Sequence, residues 1–330
     1  MTKIETIQTN LDFNPFKFKK DSLKAIDLFA GIGGIRLGFQ EAFGKNIEFV
    51  FSSEIDKYAK QTYYANFGEV PYGDITKIDE KDIPPHDIIL AGFPCQAFSV
   101  AGKRLGFEDT RGTLFFDVAR IATYHKPKLI FLENVKGFLN HDKGNTFKVV
   151  KQTLEDLGYK VYSKVLNAKD FGVPQNRERI YIVAFLDNVD FDFPNNLNKN
   201  VSIHDMFETK IDDKYYYNNK PLFEKIKDDV ANKDSIYQWR RKYVRENKSG
   251  VCPTLTANMG TGGHNVPIIK DNRGIRKLTP KECLNFQGFP RNFKLPNIAD
   301  GQLYKQAGNS VVVEVIEEIA KSINCSFLKV

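Results

Sequence analysis

Between Leu23 and about Asp190, short apolar runs rich in β-formers alternate with stretches of helical spacing, and no other feature restricts the fold so tightly. The runs are KAIDLF (24–29), EFVFSSE (48–54), DIILAGF (87–93), KLIFLEN (128–134) and RIYIVAF (179–185). Between them IRLGFQEAF, KYAKQTYYANF, TLFFDVARIATYH and TFKVVKQTLEDLG carry helical patterns. Strands covered on both faces read as continuous apolar runs, and parallel neighbours need long crossovers, usually helices. The alternation therefore predicts an α/β fold, a doubly wound and mostly parallel sheet with helices on both faces. Such sheets hold ligands beyond the carboxyl ends of their strands. A further strand is expected just before YGDIT (72–76).

Beyond Asp190 the texture changes. Residues 194–235 are rich in Asn, Asp, Lys and Tyr without a clear period, and a basic run, WRRKYVRENK (239–248), leads into the Gly-rich ANMGTGGHN (257–265). Thr279, Pro280 and Glu282 read as an N-cap, a first helical residue and the partner of a capping box. VVVEVIEEIAKSI (311–323) reads as one amphipathic helix that returns to close the first domain. The expected division is a large domain of 1–190 plus 297–330, a smaller one of 191–275, and a hinge at 276–296.

Composition narrows the class. The 330 residues carry 48 Lys and Arg against 41 Asp and Glu, a net +7 that permits a polyanionic partner without requiring one. No run approaches the roughly 18 uncharged apolar residues of a membrane span. The first twenty residues lack the central apolar run of a secretory signal, so a soluble cytoplasmic protein is expected. Cys95, Cys252, Cys283 and Cys325 are too dispersed for a disulfide framework, and the five histidines form no ligand cluster, so no metal is expected.

Several candidate site residues fall at strand ends. In AIDLFAGIGGIRLGF (25–39), Gly31, Gly33 and Gly34 allow a tight turn and close approach to a ligand. A dinucleotide fingerprint starting at Gly31 would need Gly or Ala at 36, where Arg36 stands. Glu54, at the next strand end, suits both hydroxyls of a ribose, and Asp74 suits an adenine amino group. Together they outline an adenosine site that makes no demand for phosphate contacts. Cys95 follows Pro94 at a strand-to-loop junction, and the loop after it carries Lys103, Arg104 and Arg111 between glycines, the make-up of a lid that meets an anion. Glu133 ends an apolar strand, where a carboxyl group tends to hold its proton and can give it to a ring nitrogen. In QNRER (175–179), Gln175, Arg177 and Arg179 would share one strand face and could meet a base edge or a phosphate.

DLFAGIGG, SSEID, GDIT, GFPCQ, GTLFF, ENV, QNRERIYIV, RKLTPKECLNFQGFP and YKQAGNSVVV occur in this order along the chain. The series resembles the blocks of bacterial DNA (cytosine-5)-methyltransferases of type II restriction–modification systems, and it covers roughly residues 24–185 and 276–323. The resemblance implies a Rossmann-like, S-adenosylmethionine-dependent fold with a smaller target-recognition domain. It implies that Cys95 adds to C6 of a cytosine swung out of duplex DNA, that Glu133 engages N3, and that Arg179, supported by Arg177 and Gln175, engages O2. Phe29, Gly31, Gly33, Glu54, Ile55, Asp74, Ile75, Pro94, Leu114, Asn309 and Val311 would surround the cofactor. Ile55 stands where many members place an aromatic residue. Lys103, Arg104 and Arg111 would close on DNA from the lid. Arg240, Arg241, Lys242, Arg245 and Lys248 would meet phosphates, unless they form a solvated helix face, and Thr254 and Leu255 match a pair that precedes base-contacting loops. The implied partners are double-stranded DNA and, functionally, a restriction endonuclease, with a monomeric enzyme and no obligate protein partner. A tRNA cytosine-5 methyltransferase and a catalytically silent DNA-binding relative are the alternatives.

Overall fold

The computed structural model describes residues 22–94, 114–261 and 265–327. The strands among them are β1 (Leu23–Leu28), β2 (Ile47–Ser53), β3 (Ile88–Ala91), β4 (Leu129–Val135), β5 (Lys160–Asn167), β6 (Gln175–Asn176), β7 (Glu178–Phe185), β8 (Ile236–Trp239), β9 (Val244–Asn247), β10 (Cys252–Pro253), β11 (Ile268–Lys270) and β12 (Ile275–Lys277). The helices are α1 (Gly34–Phe43), α2 (Lys57–Phe67), α3 (Phe115–His125), α4 (Asn145–Asp156), α5 (Phe223–Ile226), α6 (Pro280–Asn285), α7 (Asp300–Asn309) and α8 (Val313–Phe327). The chain forms two compact units. The first takes in the described residues up to Leu166, Glu178–Asn195 and those from Val315 onward; the second takes in Asn167–Arg177 and Asn196–Glu314.

The first unit is built on a six-stranded sheet in the order β2-β1-β3-β4-β7-β5. Strands β1 to β4 run parallel, and β7 lies antiparallel to β4 with Val135 opposite Arg179. One face buries Ile26, Leu28, Ile89, Ile130, Leu132 and Ile182 under α3 and α4, through Phe115, Val118, Ile121, Val150 and Leu154. On the other side α8 lies against α1 at Gly38, where an added Cβ would fall 2.6 Å from the Ile316 side chain. Glycine there lets two helices approach backbone to side chain. The strand expected before YGDIT is a single bridge, Ser53 to Tyr72. Strand β5 was not legible, because most of its residues are half-buried or exposed and no continuous apolar run marks it.

In the second unit, β12-β11-β8-β9 form an antiparallel sheet and β10 pairs with β6 in parallel. Tyr217, Ile226, Val230, Tyr237, Ile268 and Ile275 make its core. The capping box at Thr279 and Glu282 is present, with Pro280 in the first turn of α6. The basic run at 239–248 is no helix face. It is the β8–β9 hairpin, with Trp239 opposite Val244 and Gln238 opposite Arg245. Tyr237, Trp239 and Val244 turn to the core, which leaves Gln238, Arg245 and Asn247 on the other face. Two stretches expected with the large domain, 167–177 and 297–314, pack within the second unit. The side chains of Gln175 and Arg177 account for this, as shown below.

Candidate functional site

The glycine turn after β1 has backbone that L-residues rarely adopt: φ is +55° at Phe29, +55° at Gly31 and +84° at Gly33. An added Cβ on Gly33 would lie 2.2 Å from the Phe67 ring, whereas one on Gly31 would meet nothing within 4 Å. The turn is thus packed from below at Gly33 and open at Gly31. Glu54 closes its side: Oε2 accepts from the Gly31 N–H at 2.8 Å and Oε1 from the Asp56 N–H at 2.7 Å. A carboxylate has about four acceptor sites, so each oxygen can still take a hydroxyl. Ile55 beside it is 74% exposed, an apolar surface with room for a flat ring. Asp74 caps the turn that follows it, accepting from Thr76 Oγ1 at 2.8 Å and Thr76 N at 3.1 Å, and these hydrogen bonds hold its carboxyl below the usual range. Ile75 is buried, Leu114 is half-buried at the head of α3, and Pro94 is exposed. Arg36 turns inward, with Nη1 2.6 Å from Glu69 and its guanidinium over the rings of Phe49 and Phe67. A pyrophosphate would find no cation from it. Open space above Gly31, a pinned carboxylate and an uncovered aliphatic chain fit the adenosine half of S-adenosylmethionine.

The neighbouring strand ends hold the acid. Glu133, near the carboxyl end of β4, is 9% exposed and its Oε1 lies 3.2 Å from Nε of Arg179 on β7. Asn134 donates from Nδ2 to the Phe93 carbonyl at 2.9 Å, tying the exit of β3 to β4. An added Cβ on Gly92 would sit 3.8 Å from Glu133 Oε2. The chain therefore leaves β3 through Gly92, Phe93 and Pro94 beside an acid–guanidinium pair. Cys95, Lys103, Arg104 and Arg111 lie outside the described residues.

Arg177 requires a correction. It stands between β6 and β7, in the second unit, and shares no strand face with Arg179. It is 3% exposed, and its guanidinium donates to the carbonyls of Leu255 at 2.7 Å, Gly308 at 3.2 Å and Ser310. Gln175 is likewise buried, donating to the Phe286 carbonyl at 2.5 Å and accepting from Leu255 N at 3.2 Å. Both side chains point into protein because β6 pairs with β10, so the register of β7 does not extend back to them. Leu255 is buried, and Thr254 donates to the Asn176 carbonyl at 2.6 Å. Asn309 is exposed at the end of α7 and Val311 is buried two residues on, both in the second unit.

The second unit also contains a cavity of about 430 Å³ lined by Arg240, Arg245, Thr254, Gln238, Asn247 and Asn258, among others. Arg241 is exposed in the hairpin loop with φ +65°. Gln238, Asn247, Asn258 and Asn265, all in this lining, are not among the residues the sequence singled out; period-two alternation through 236–247 would have put Gln238 and Asn247 beside Arg245, had the run been taken as a hairpin. Amide and guanidinium side chains are those that pair bidentately with base edges. Among the described residues, no three His, Cys, Asp or Glu are grouped to hold a metal, and no helix is long and apolar enough to cross a membrane.

A mostly parallel sheet with an adenosine-shaped turn after β1 and an acid at the end of β4, two strands along, defines an α/β methyltransferase. Crystal structures share the fold: DNMT2 of Spodoptera frugiperda superposes with a TM-score of 0.73 at 24% identity, covering 92% of this chain and 100% of that one. Residues 23–325 match the family described as C-5 cytosine-specific DNA methylase, and the chain belongs to it. It is similar to the Type II methyltransferase M.Bsp6I of Bacillus sp. (strain RFL6), 53% identical over 317 residues that cover 93% of this chain and all of that protein. It is also similar to M.HhaI of Haemophilus parahaemolyticus, 44% identical over 325 residues that cover 92% of this chain and 95% of that protein.

Proposed function

We propose that the protein methylates C5 of a flipped-out cytosine at a specific site in duplex DNA, using S-adenosylmethionine, and so shields that DNA from a cognate endonuclease. S-adenosylmethionine, when bound, supplies an electrophilic methyl group on a sulfonium. Cytosine C5 is too weakly nucleophilic to take it unaided, so the thiolate of Cys95 adds to C6 and leaves C5 enamine-like. Glu133 holds or protonates N3 as charge develops during addition, and Arg179 binds O2 while keeping the Glu133 carboxyl in place. After C5 is methylated, loss of its proton expels the Cys95 thiolate. Glu54 holds the ribose, Asp74 and Ile75 read the adenine edge, Ile55 packs on the base, and Phe29, Gly31, Gly33, Pro94 and Leu114 line the rest, with Asn309 and Val311 assigned to the same cofactor.

Lys103, Arg104 and Arg111 act on DNA from the loop after Cys95. Arg240, Arg241 and Arg245 of the β8–β9 hairpin bind phosphates or bases, and Thr254 and Leu255 position that groove. Modifying one strand of a site at a time needs no symmetric partner, so the protein acts as a cytoplasmic monomer. The observation that carries the reading is the Glu133–Arg179 pair at 3.2 Å beside the exit of β3. The test is a duplex bearing 5-fluorocytosine at each candidate site, incubated with methyl donor. A denaturation-resistant adduct that disappears in Cys95→Ser supports the reading. Absence of an adduct on every site, from folded protein, ends it.

A further inference from the structure

One buried polar node joins three segments of the second unit. Leu255 is held by both ends of its backbone: its N–H donates to Gln175 Oε1 at 3.2 Å and its carbonyl accepts from Arg177 Nη1 at 2.7 Å. The other nitrogen of the guanidinium, Nη2, donates to Gly308 at 3.2 Å and to Ser310, the two carbonyls flanking Asn309. Gln287 closes the ring, donating from Nε2 to the Ala307 carbonyl at 2.6 Å and accepting at Oε1 from Gln175 Nε2 at 3.1 Å. Gly308 meets the Thr256–Ala257 backbone so closely that an added Cβ would fall 2.1 Å from it. Gln175, Arg177 and Gln287 are 0–3% exposed.

We infer that Arg177 is a positioning residue that couples the methyl-donor site to DNA recognition, through the carbonyls of Leu255, Gly308 and Ser310. A guanidinium is planar and rigid, so its two ends fix the Thr254–Leu255 segment relative to the end of α7 that carries Asn309 and Val311. A buried network in which one guanidinium and two amides tie three segments by several hydrogen bonds resists shear, and any displacement imposed at one segment appears at the other. Coupling of this kind is reciprocal: the donor tightens DNA binding by the factor by which DNA tightens donor binding. The inference rests on the function proposed above for those segments.

The test is a binding cycle. The affinity of the cognate duplex is measured with and without S-adenosylhomocysteine, for wild type and Arg177→Lys, together with KM and kcat for both substrates. A lysine keeps the charge but loses the two-ended fork. In wild type the cofactor product tightens DNA by about 5–150-fold, the usual range of such couplings. In Arg177→Lys the factor falls below about 3-fold and the donor KM rises, while kcat at saturation changes less than KM. Retained coupling in the variant overturns the inference, as does a large fall in kcat with coupling intact, the signature of a base contact. Where the variant does not fold, hydrogen exchange on wild type decides: S-adenosylhomocysteine alone slows exchange of the Leu255 amide, and unchanged exchange overturns the inference. Wild type that binds both ligands but transfers no methyl group would count against the proposed function instead.

Discussion

Arg179 reaches diagonally across the antiparallel β4–β7 pair to set its Nε 3.2 Å from Glu133 Oε1, while its direct partner across the ladder is Val135. The pair joins a carboxyl group to a guanidinium near the carboxyl end of β4. Glu133→Gln keeps the shape but can neither give a carboxylic proton to N3, as proposed above, nor carry a negative charge. Methyl transfer should fall about 10²–10⁴-fold, the usual contribution of a positioned acid, with DNA affinity within about threefold of wild type. Tritium incorporation under single-turnover conditions measures this, and an unimpaired rate would remove Glu133 from the chemistry.

The two glycines of the β1 turn should respond differently to alanine. Gly31→Ala places a methyl group in open space, so the fold loses only about 1 kcal/mol from the strained φ while donor affinity drops. Gly33→Ala drives its Cβ into Phe67, a ring held between Tyr63 and Arg36, and costs about 1–3 kcal/mol of overpacking in addition. Thermal melts combined with titration of S-adenosylhomocysteine separate the two outcomes.

Arg276 and Glu282 form a bidentate pair at 2.7 and 2.8 Å, with side chains 2% and 0% exposed. Arg276→Met leaves a buried carboxylate without its main partner, a loss of about 3–5 kcal/mol. Adding Glu282→Gln should return part of that loss, because the stranded charge is gone. Chemical denaturation of the single and double variants checks it; equal stability of the two would show that the charge was not the cause.

His86 is 8% exposed, with Nδ1 2.8 Å from the Pro84 carbonyl and its ring 4.5 Å from that of His125. Burial pulls its pKa down from 6.5 to about 4. The unfolded chain therefore binds a proton between those values that the folded chain refuses. The contribution to stability is full above pH 6.5 and declines as pH falls toward 4, by roughly 3 kcal/mol at most. In His86→Gln, urea midpoints at pH 7.5 and 4.5 should differ less than in wild type.

Within the hairpin groove, Arg245→Ala and Gln238→Ala should diverge. A phosphate contact by Arg245 predicts a salt slope lower by about one and weakening on all sequences alike. A base contact by Gln238 predicts lost discrimination, with each wrong base pair now costing less than the usual 1–3 kcal/mol. Fluorescence anisotropy across a salt series, on cognate and single-mismatch duplexes, reads both.

The large sheet was legible because its strands are covered on both faces and leave continuous apolar runs, and because Glu54 and Glu133 fall where those runs end. β5 left no such run, since it lies at the sheet edge with exposed side chains. Arg177 misled for another reason: spacing of two residues implies a shared face only while the strand continues, and the pairing of Gln175 and Asn176 with β10 breaks it. Nothing local in the sequence announces a partner 78 residues away at Leu255. The hairpin at 239–248 was hidden by its charge, which looks alike on a helix and a two-stranded ribbon.

Asn167–Arg177 leaves the large unit between β5 and β7, yet its side chains grip Leu255 and the end of α7. Chimeras that exchange sequence preference between relatives by transplanting 196–314 alone would therefore sever a clasp whose other half stays behind. A transplant that carries 167–177 from the same donor keeps both halves matched, and natural recombinants should inherit the two stretches together.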